Sequence, residues 1–317
     1  MSGTKPIVVF SGPGHSAEVA RRVLEPDFEV VAVRPEPESL LPAFSQCAAF
    51  LDASMKVPLS SEVIMDAARL KVVVAATTGA THIDQSALKE RGIPLLTLKG
   101  QTEILRELTP AAELSWALVM ACARRLRGAI LHVASAAWDR TEFPGVMLKG
   151  RTIGLIGMGR IGTWMARYAH AFGMNIQYFD PYEESAPEYA KRVSLEELVS
   201  SSDVVSIHVH VNEETTGMIS RELIQTFKHG SIFINTARGE LTDEFALVEA
   251  LETGRLAALG VDVLLGEPDI RNNPIWEYAK SHENVVITPH IGGFCPDAVD
   301  KVVEFSAVRI RQYLESI

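Results

Sequence analysis

A chain of 317 residues with 47% hydrophobic and 22% charged content is long enough for two domains, each with its own buried core. A formal net charge of −10 without a basic cluster argues against nucleic acid or an anionic membrane as a partner. Cys47, Cys122 and Cys295 are too few and too widely spaced for a disulfide framework and fit a reducing compartment.

The first ten residues lack the charged start, apolar stretch and small-residue site of a signal peptide. The longest apolar helical stretch, 114–123, is too short for a bilayer and lies between Glu113 and Arg124-Arg125, so a cytoplasmic location is expected. Apolar runs at 6–10, 28–33, 71–76 and 94–97 predict strands in the first third. The first leads into Gly12-Pro13-Gly14-His-Ser-Ala17, a glycine-rich turn before a helix. Pro13 removes a backbone donor where an anion would need one, while Arg34 at the end of the next strand would favour a 2′-phosphate. A turn in a second α/β domain is a simpler reading than an NADP site.

Thr109-Pro110 reads as a capped helix start, and the helix is predicted to run to about Arg127, carrying the chain between domains. Strands follow at 152–156, 175–179, 203–208, 231–235, 257–262 and 284–288. Ser194-Leu-Glu-Glu197 reads as a capping box. A last helix, about 296–314, can fold back on the N-terminal domain. The expected class is α/β, with two doubly wound parallel-sheet domains and an interdomain cleft. Residues 1–104 plus 290–317 would form a flavodoxin-like substrate domain, and 105–289 a Rossmann domain.

The strand at 152–156 opens into Gly157-x-Gly159-x-x-Gly162, then a helical pattern, then a strand ending in Asp180. Each part has a task in binding a dinucleotide. Gly157 allows the tight turn, Gly159 lets the backbone approach a pyrophosphate, and Gly162 lets helix and strand pack closely. The helix N-terminus offers unpaired N–H groups to the pyrophosphate, and Asp180 can take both ribose hydroxyls. An acid there favours NAD over NADP, and Pro181-Tyr182-Glu183 supplies no compensating base.

Arg238, Glu267 and His290 stand just past the ends of successive predicted strands, where loops of an open α/β sheet face the ligand crevice. An imidazole beside a carboxylate is an acid–base unit, and a guanidinium holds a planar carboxylate bidentately. Singly, each has an ordinary reading as surface ion pair, turn or packing residue. Together behind a dinucleotide fingerprint they read as a catalytic set. His208 and His210 would share one face of a strand, but a third ligand is not evident and no metal is expected. Cys295 reads as a buried bystander rather than a nucleophile.

Gly79-Ala-Thr-His-Ile-Asp84, Arg91-Gly-Ile-Pro94, Ala112-Glu113-Leu114, 154–162, 235–239, 260–268 and 288–293 occur in an order that resembles the D-isomer-specific 2-hydroxyacid dehydrogenase family, in particular its 3-phosphoglycerate dehydrogenase-like branch. The resemblance covers nearly the whole chain. It implies that His290 is the acid–base, Glu267 its partner and Arg238 the substrate anchor. It implies that Arg160 and Ile161 meet the pyrophosphate through backbone beside Gly157, Gly159 and Gly162, and that Asp180 meets the adenosine ribose. Thr236, Ala237, Arg238, Asp262, His290, Gly292 and Gly293 would border the nicotinamide end. Backbone N–H groups of Thr78 and Gly79 would receive the substrate carboxylate.

The implied activity is hydride transfer between NAD(H) and C2 of a small D-2-hydroxy or 2-oxo acid, in a homodimer formed through the NAD-binding domain. The family's corepressors keep the same triad, so an NAD(H)-sensing binding module is the alternative. Formate dehydrogenase, a relative, carries glutamine where Glu267 stands. The family's C-terminal regulatory domain is not expected here. Departures at Ala76-Thr77-Thr78, at Phe294 and in 99–106 bear on the substrate. In the last, Lys99 and Arg106 flank a loop and either hold an anionic tail or stay solvated or paired with Glu103 and Glu107.

Overall fold

Strands buried on both faces have nowhere polar to point, and the apolar runs in this chain accordingly assemble into two parallel sheets. The computed structural model describes residues 5–183 and 186–317. It divides into one unit of Met1–Leu108 with Phe294–Ile317 and another of Thr109–Gly293. Both divisions fall a few residues beyond the boundaries expected at 104/105 and 289/290.

In the first unit, strands β1 (Ile7–Ser11), β2 (Glu29–Val33), β3 (Ala49–Asp52), β4 (Val72–Ala75) and β5 (Leu95–Leu96) form a parallel sheet in the order β2-β1-β3-β4-β5. That is the flavodoxin-like order. β3 was not expected from sequence, because its three apolar residues and Asp52 follow Cys47-Ala48 with no turn residue to mark them off. All four are buried, and β3 pairs with both β1 and β4. The connecting helices are α1 (Gly14–Leu24), α2 (Pro37–Phe44), α3 (Ser61–Asp66), α4 (Gln85–Glu90) and α5 (Thr102–Arg106). The 99–106 stretch is thus partly helical rather than a plain loop. Lys99 and Arg106 are exposed, and Glu107 pairs with Lys301 at 3.9 Å. The Gly12 turn joins β1 to α1, whose N-cap is Pro13.

The second unit begins with α6 (Pro110–Ala123) and α7 (Leu126–Ala134). A single helix to Arg127 was expected, but Arg125 turns left-handed at φ 51° and breaks it. Arg127 explains the break, since its guanidinium donates to the carbonyls of Ala279, His282 and Val285 and fixes where α7 starts. Thr109 does not cap α6 through its hydroxyl, which donates to Glu113 instead.

Strands β6 (Thr152–Ile156), β7 (Asn175–Phe179), β8 (Ala190–Arg192), β9 (Val204–Ile207), β10 (Ser231–Asn235), β11 (Leu256–Val261) and β12 (Val285–Ile287) form a parallel sheet ordered β12-β11-β10-β9-β6-β7-β8. The order reverses between β6 and β9, which is where a doubly wound sheet opens a ligand crevice. β8 was also missed. It is a three-residue edge strand of mostly exposed residues, without an apolar pattern.

Helices α8 (Arg160–Ala171), α9 (Leu195–Ser201), α10 (Arg221–Gln225), α11 (Glu244–Glu252) and α12 (Pro274–Ala279) cover this sheet. Ser194 caps α9 by accepting from the Glu197 N–H at 3.1 Å, while the Glu197 carboxylate pairs with Lys191 rather than closing the box. The chain then returns to the first unit as α13 (Pro296–Glu315), which packs Val302, Val303, Ala307 and Ile310 into that unit's core. Among the described residues no helix is long and apolar enough to cross a membrane.

Candidate active site

The β6–α8 turn is shaped by its three glycines, each for a different reason. Gly157 sits at φ +94°, where a side chain is strained, and a Cβ there would also meet the His208 carbonyl at 2.8 Å. At Gly162 a Cβ would overlap the Gly157 carbonyl oxygen. Gly159 is the opposite case, because a Cβ there would meet nothing within 4 Å. Gly159 is also the N-cap of α8 and makes no side-chain cap, so the backbone N–H groups of Arg160 and Ile161 open the helix at this space. Open space in front of a helix N-terminus suits a pyrophosphate.

Asp180, at the end of β7, closes this turn. One carboxylate oxygen accepts from Met158 N–H at 2.8 Å, the other from Tyr182 at 2.9 Å and Glu183 at 3.1 Å. The carboxylate is therefore held in place with acceptor capacity left for hydroxyls. Pro181-Tyr182-Glu183 brings no base to Asp180, but a distant segment does. β8 brings the Arg192 guanidinium to the Asp180 carbonyl oxygen at 2.7 Å, a contact that follows from a strand not visible in sequence.

Because β10, β11 and β12 are adjacent and parallel, the loops after them share one edge of the sheet. Arg238, Glu267 and His290 lie on those three loops. His290 Nδ1 contacts Glu267 Oε1. The other Glu267 oxygen accepts from Leu264 N–H at 3.3 Å. His290 is left-handed at φ 53°, and a buried carboxylate holds it there. Asp262, 1% exposed, accepts from the hydroxyl of Thr288 and from the N–H groups of Ile291 and Gly292, and its carbonyl accepts from His290 N–H. A Cβ at Gly292 would press on the same carboxylate at 3.0 Å. Asp262, expected to border the cofactor, thus acts first as the organiser of the His290 loop. Gly293 is exposed and open.

The charges follow from these contacts. The Glu267 hydrogen bond, opposed by burial and by Arg238, holds His290 above the usual imidazole range, and the Glu267 and Asp262 charges add to the rise. Burial pushes Glu267 up, but the His290 hydrogen bond and charge, the Leu264 N–H and the Arg238 charge outweigh it, and its net position is low. Arg238 is exposed and donates to the Ala237 carbonyl at 2.7 Å. Asn235, buried at the end of β10, holds this turn by accepting from Ala237 N–H and donating to the Arg238 carbonyl. It was overlooked because a single amide ending an apolar strand gives no periodic signal. The Thr236 hydroxyl meets Ser115 Oγ at 2.6 Å, and Ser115 donates onward to the Ala111 carbonyl.

In the first unit, the Thr77 hydroxyl donates to the Gly79 carbonyl at 2.6 Å and the Thr77 carbonyl accepts from Leu98 N–H, which shapes the turn bearing Thr78 and Gly79. Thr78 is exposed and Gly79 half-buried. β9 ends at Ile207, so His208 and His210 lie past the strand instead of on one face of it. His208 is pushed down to about 3 by burial and meets Ser206 Oγ at 2.9 Å. Among the described residues no group of three or more histidine, cysteine, aspartate or glutamate side chains is placed to hold a metal ion. Cys295 is half-buried as the N-cap of α13, whereas burial pushes the Cys47 and Cys122 thiols up to about 12.

Residues 116–292, most of the second unit, match the family model described as the NAD-binding domain of the D-isomer specific 2-hydroxyacid dehydrogenases. The chain belongs to this family. Over 285 residues it is 35% identical to hydroxypyruvate reductase of Thermotoga maritima, covering 90% of this chain and 87% of that protein. Over 243 residues it is 37% identical to D-3-phosphoglycerate dehydrogenase of Archaeoglobus fulgidus, covering 76% of this chain and 44% of that one. The chain thus spans about half the length of the phosphoglycerate dehydrogenases it matches. The crystal structure of D-lactate dehydrogenase from Aquifex aeolicus, complexed with NAD and lactic acid, superposes with a TM-score of 0.81 at 26% identity, over 98% of this chain and 96% of that one. With the glycine turn and Asp180 fitting a dinucleotide, the cofactor of this dehydrogenase-family chain is NAD.

The second and third glycines are expected to separate binding from folding. Gly159→Ala should leave the melting temperature unchanged yet weaken NADH binding about tenfold or more, since its methyl occupies only ligand space. Gly162→Ala should lower both. NADH fluorescence titration with thermal melts checks this, and undiminished binding by Gly159→Ala would rule out pyrophosphate contact there.

Proposed function

We propose that the chain is an NAD-dependent dehydrogenase of small D-2-hydroxy acids, working reversibly on the corresponding 2-oxo acids. The observation that carries this reading is the His290 Nδ1 contact with Glu267. It commits one ring nitrogen to the carboxylate and leaves Nε2 to exchange a proton with substrate. When bound, NAD(H) supplies the hydride exchanged with C2. In reduction, the guanidinium of Arg238 grips the substrate carboxylate, and His290 as imidazolium donates its Nε2 proton to the carbonyl oxygen. In oxidation, neutral His290 takes the hydroxyl proton. Glu267 stabilises the imidazolium and fixes the ring's orientation. The N–H groups of Thr78 and Gly79 remain in the proposal as donors to substrate carboxylate, supported by a turn that the Thr77 hydroxyl shapes and by open space within 4 Å of where a Gly79 Cβ would lie. Thr236, Ala237, Asp262, Gly292 and Gly293 are proposed to frame the nicotinamide end.

The test is turnover of a 2-oxo acid panel, including glyoxylate and hydroxypyruvate, with NADH. NADH binding without turnover of any member would favour the alternative, an NAD(H)-sensing binding module. Because reduction needs imidazolium, activity should fall as pH rises through the elevated His290 pKa. Glu267→Gln removes the group that raises it and should move that limb to lower pH. An unmoved limb, with chemistry rate-limiting, would refute the pairing.

Asp180 opposes a 2′-phosphate. Unit charges about 4 Å apart repel by about 4 kcal/mol at an effective dielectric near 20, less in solvent. Arg192 beside Asp180 offsets part of this, so NADH should be preferred over NADPH by about tenfold or more in kcat/KM. Asp180→Asn should narrow the gap, and equal efficiencies in the unaltered enzyme would contradict the assignment.

The second unit also carries exposed Ile130, Leu131, Val133 and Met147 with Trp138, which is 89% exposed. Large apolar side chains gathered on α7 and the segment after it support a homodimer through this unit. Trp138→Glu combined with Ile130→Glu should halve the mass measured by light scattering. A monomeric parent protein would remove the dimer from the proposal.

A further inference from the structure

The loop that delivers Glu267 is held by a second, buried carboxylate. Glu244 opens α11 and is 5% exposed. One of its oxygens accepts from Leu265 N–H at 2.8 Å, and the other accepts from the Asn273 amide. The same amide donates to the Leu265 carbonyl at 3.2 Å. Both main-chain polar groups of Leu265 are therefore clamped by one buried pair, although the Leu265 side chain itself is 52% exposed. Asn273 is 5% exposed, and its oxygen caps α12 through the N–H groups of Ile275 and Trp276, so the pair cannot rotate freely. From this anchored point the loop reaches Glu267 within two residues. A Cβ at Gly239 would overlap the backbone at Leu264 and Leu265, so the loop is also pressed closely from the Arg238 side.

We propose that Glu244, with Asn273, is a positioning residue for the Glu267–His290 pair, fixing the loop from which Glu267 meets the imidazole. The proposal rests on the acid–base reading above. A buried carboxylate is a costly way to hold a loop, and here it faces two donors, Leu265 N–H and the Asn273 amide. Glutamine in its place must turn an NH2 group toward one of them, so the isosteric change breaks the clamp without a change of volume. The charged groups acting on Glu244 are Glu240 and Glu267. Those acting on His290 are Glu267, Arg238 and Asp262.

The experiment compares the full chain with Glu244→Gln, Glu267→Gln and the double variant, using glyoxylate and NADH. Glu244→Gln should lower kcat about tenfold, with the KM for NADH unchanged. It should also move the reductive pH limb to lower pH, because a displaced Glu267 raises the His290 pKa less. In the Glu267→Gln background the second change should have no further effect on kcat or on the limb. If Glu244→Gln fails to fold, Asn273→Ser takes its place, since serine can still cap α12 but cannot reach Leu265; it should move the limb the same way. An unmoved limb in the folded variant, or losses that multiply in the double variant, would overturn the proposal while leaving the acid–base reading intact. An unmoved limb in Glu267→Gln alone would remove that reading, and this proposal with it.

Discussion

Parallel pairing of all seven strands in the larger sheet sends every loop that follows a strand to the same edge. The rest of the candidate site depends on this. The glycine turn follows β6, Asp180 follows β7, and Arg238, Glu267 and His290 follow β10, β11 and β12. Strand spacing of about 4.8 Å then sets the reach that each side chain needs. Adjacent strands put the histidine loop beside the glutamate loop, whereas the fingerprint lies across the point where the strand order reverses.

Direction alone would leave those loops loose. In the second unit each is tied by a buried polar side chain rising from the sheet edge or a helix start. Asn235 closes the Arg238 turn, Asp262 closes the His290 loop, and Glu244 with Asn273 holds the segment leading to Glu267. The pattern has a common physical logic. A loop has backbone donors and acceptors without ladder partners, and a buried amide or carboxylate satisfies several at once. The same bonds support the left-handed backbone of His290, which an imidazole-bearing residue would not hold unaided.

The electrostatics are equally shared. His290 and Glu267 each shift in the direction that favours the charged pair, and Arg238 acts on both with one charge, lowering Glu267 and opposing the rise of His290. The protons of such a pair leave in steps that belong to the pair rather than to either residue. His208 shows the contrast, since burial without a carboxylate drives it down to about 3 and leaves it neutral.

Most strands, the glycine fingerprint, Asp180 and the three residues past β10, β11 and β12 were legible in the chain itself. Apolar runs and glycine spacing are local patterns, and parallel α/β order follows from their alternation. What escaped was settled by partners distant in sequence. β3 is central yet unmarked by turn residues, and β8 is an edge strand too polar to show a pattern. The break at Arg125 follows three carbonyls that Arg127 finds more than 150 residues away. Arg192 reaches Asp180 only because β8 pairs with β7. Glu244 reads in sequence as an ordinary acid in a first helical turn. Its burial against Leu265 and Asn273 was decided by packing, because a hydrogen bond between distant segments leaves no period in either of them.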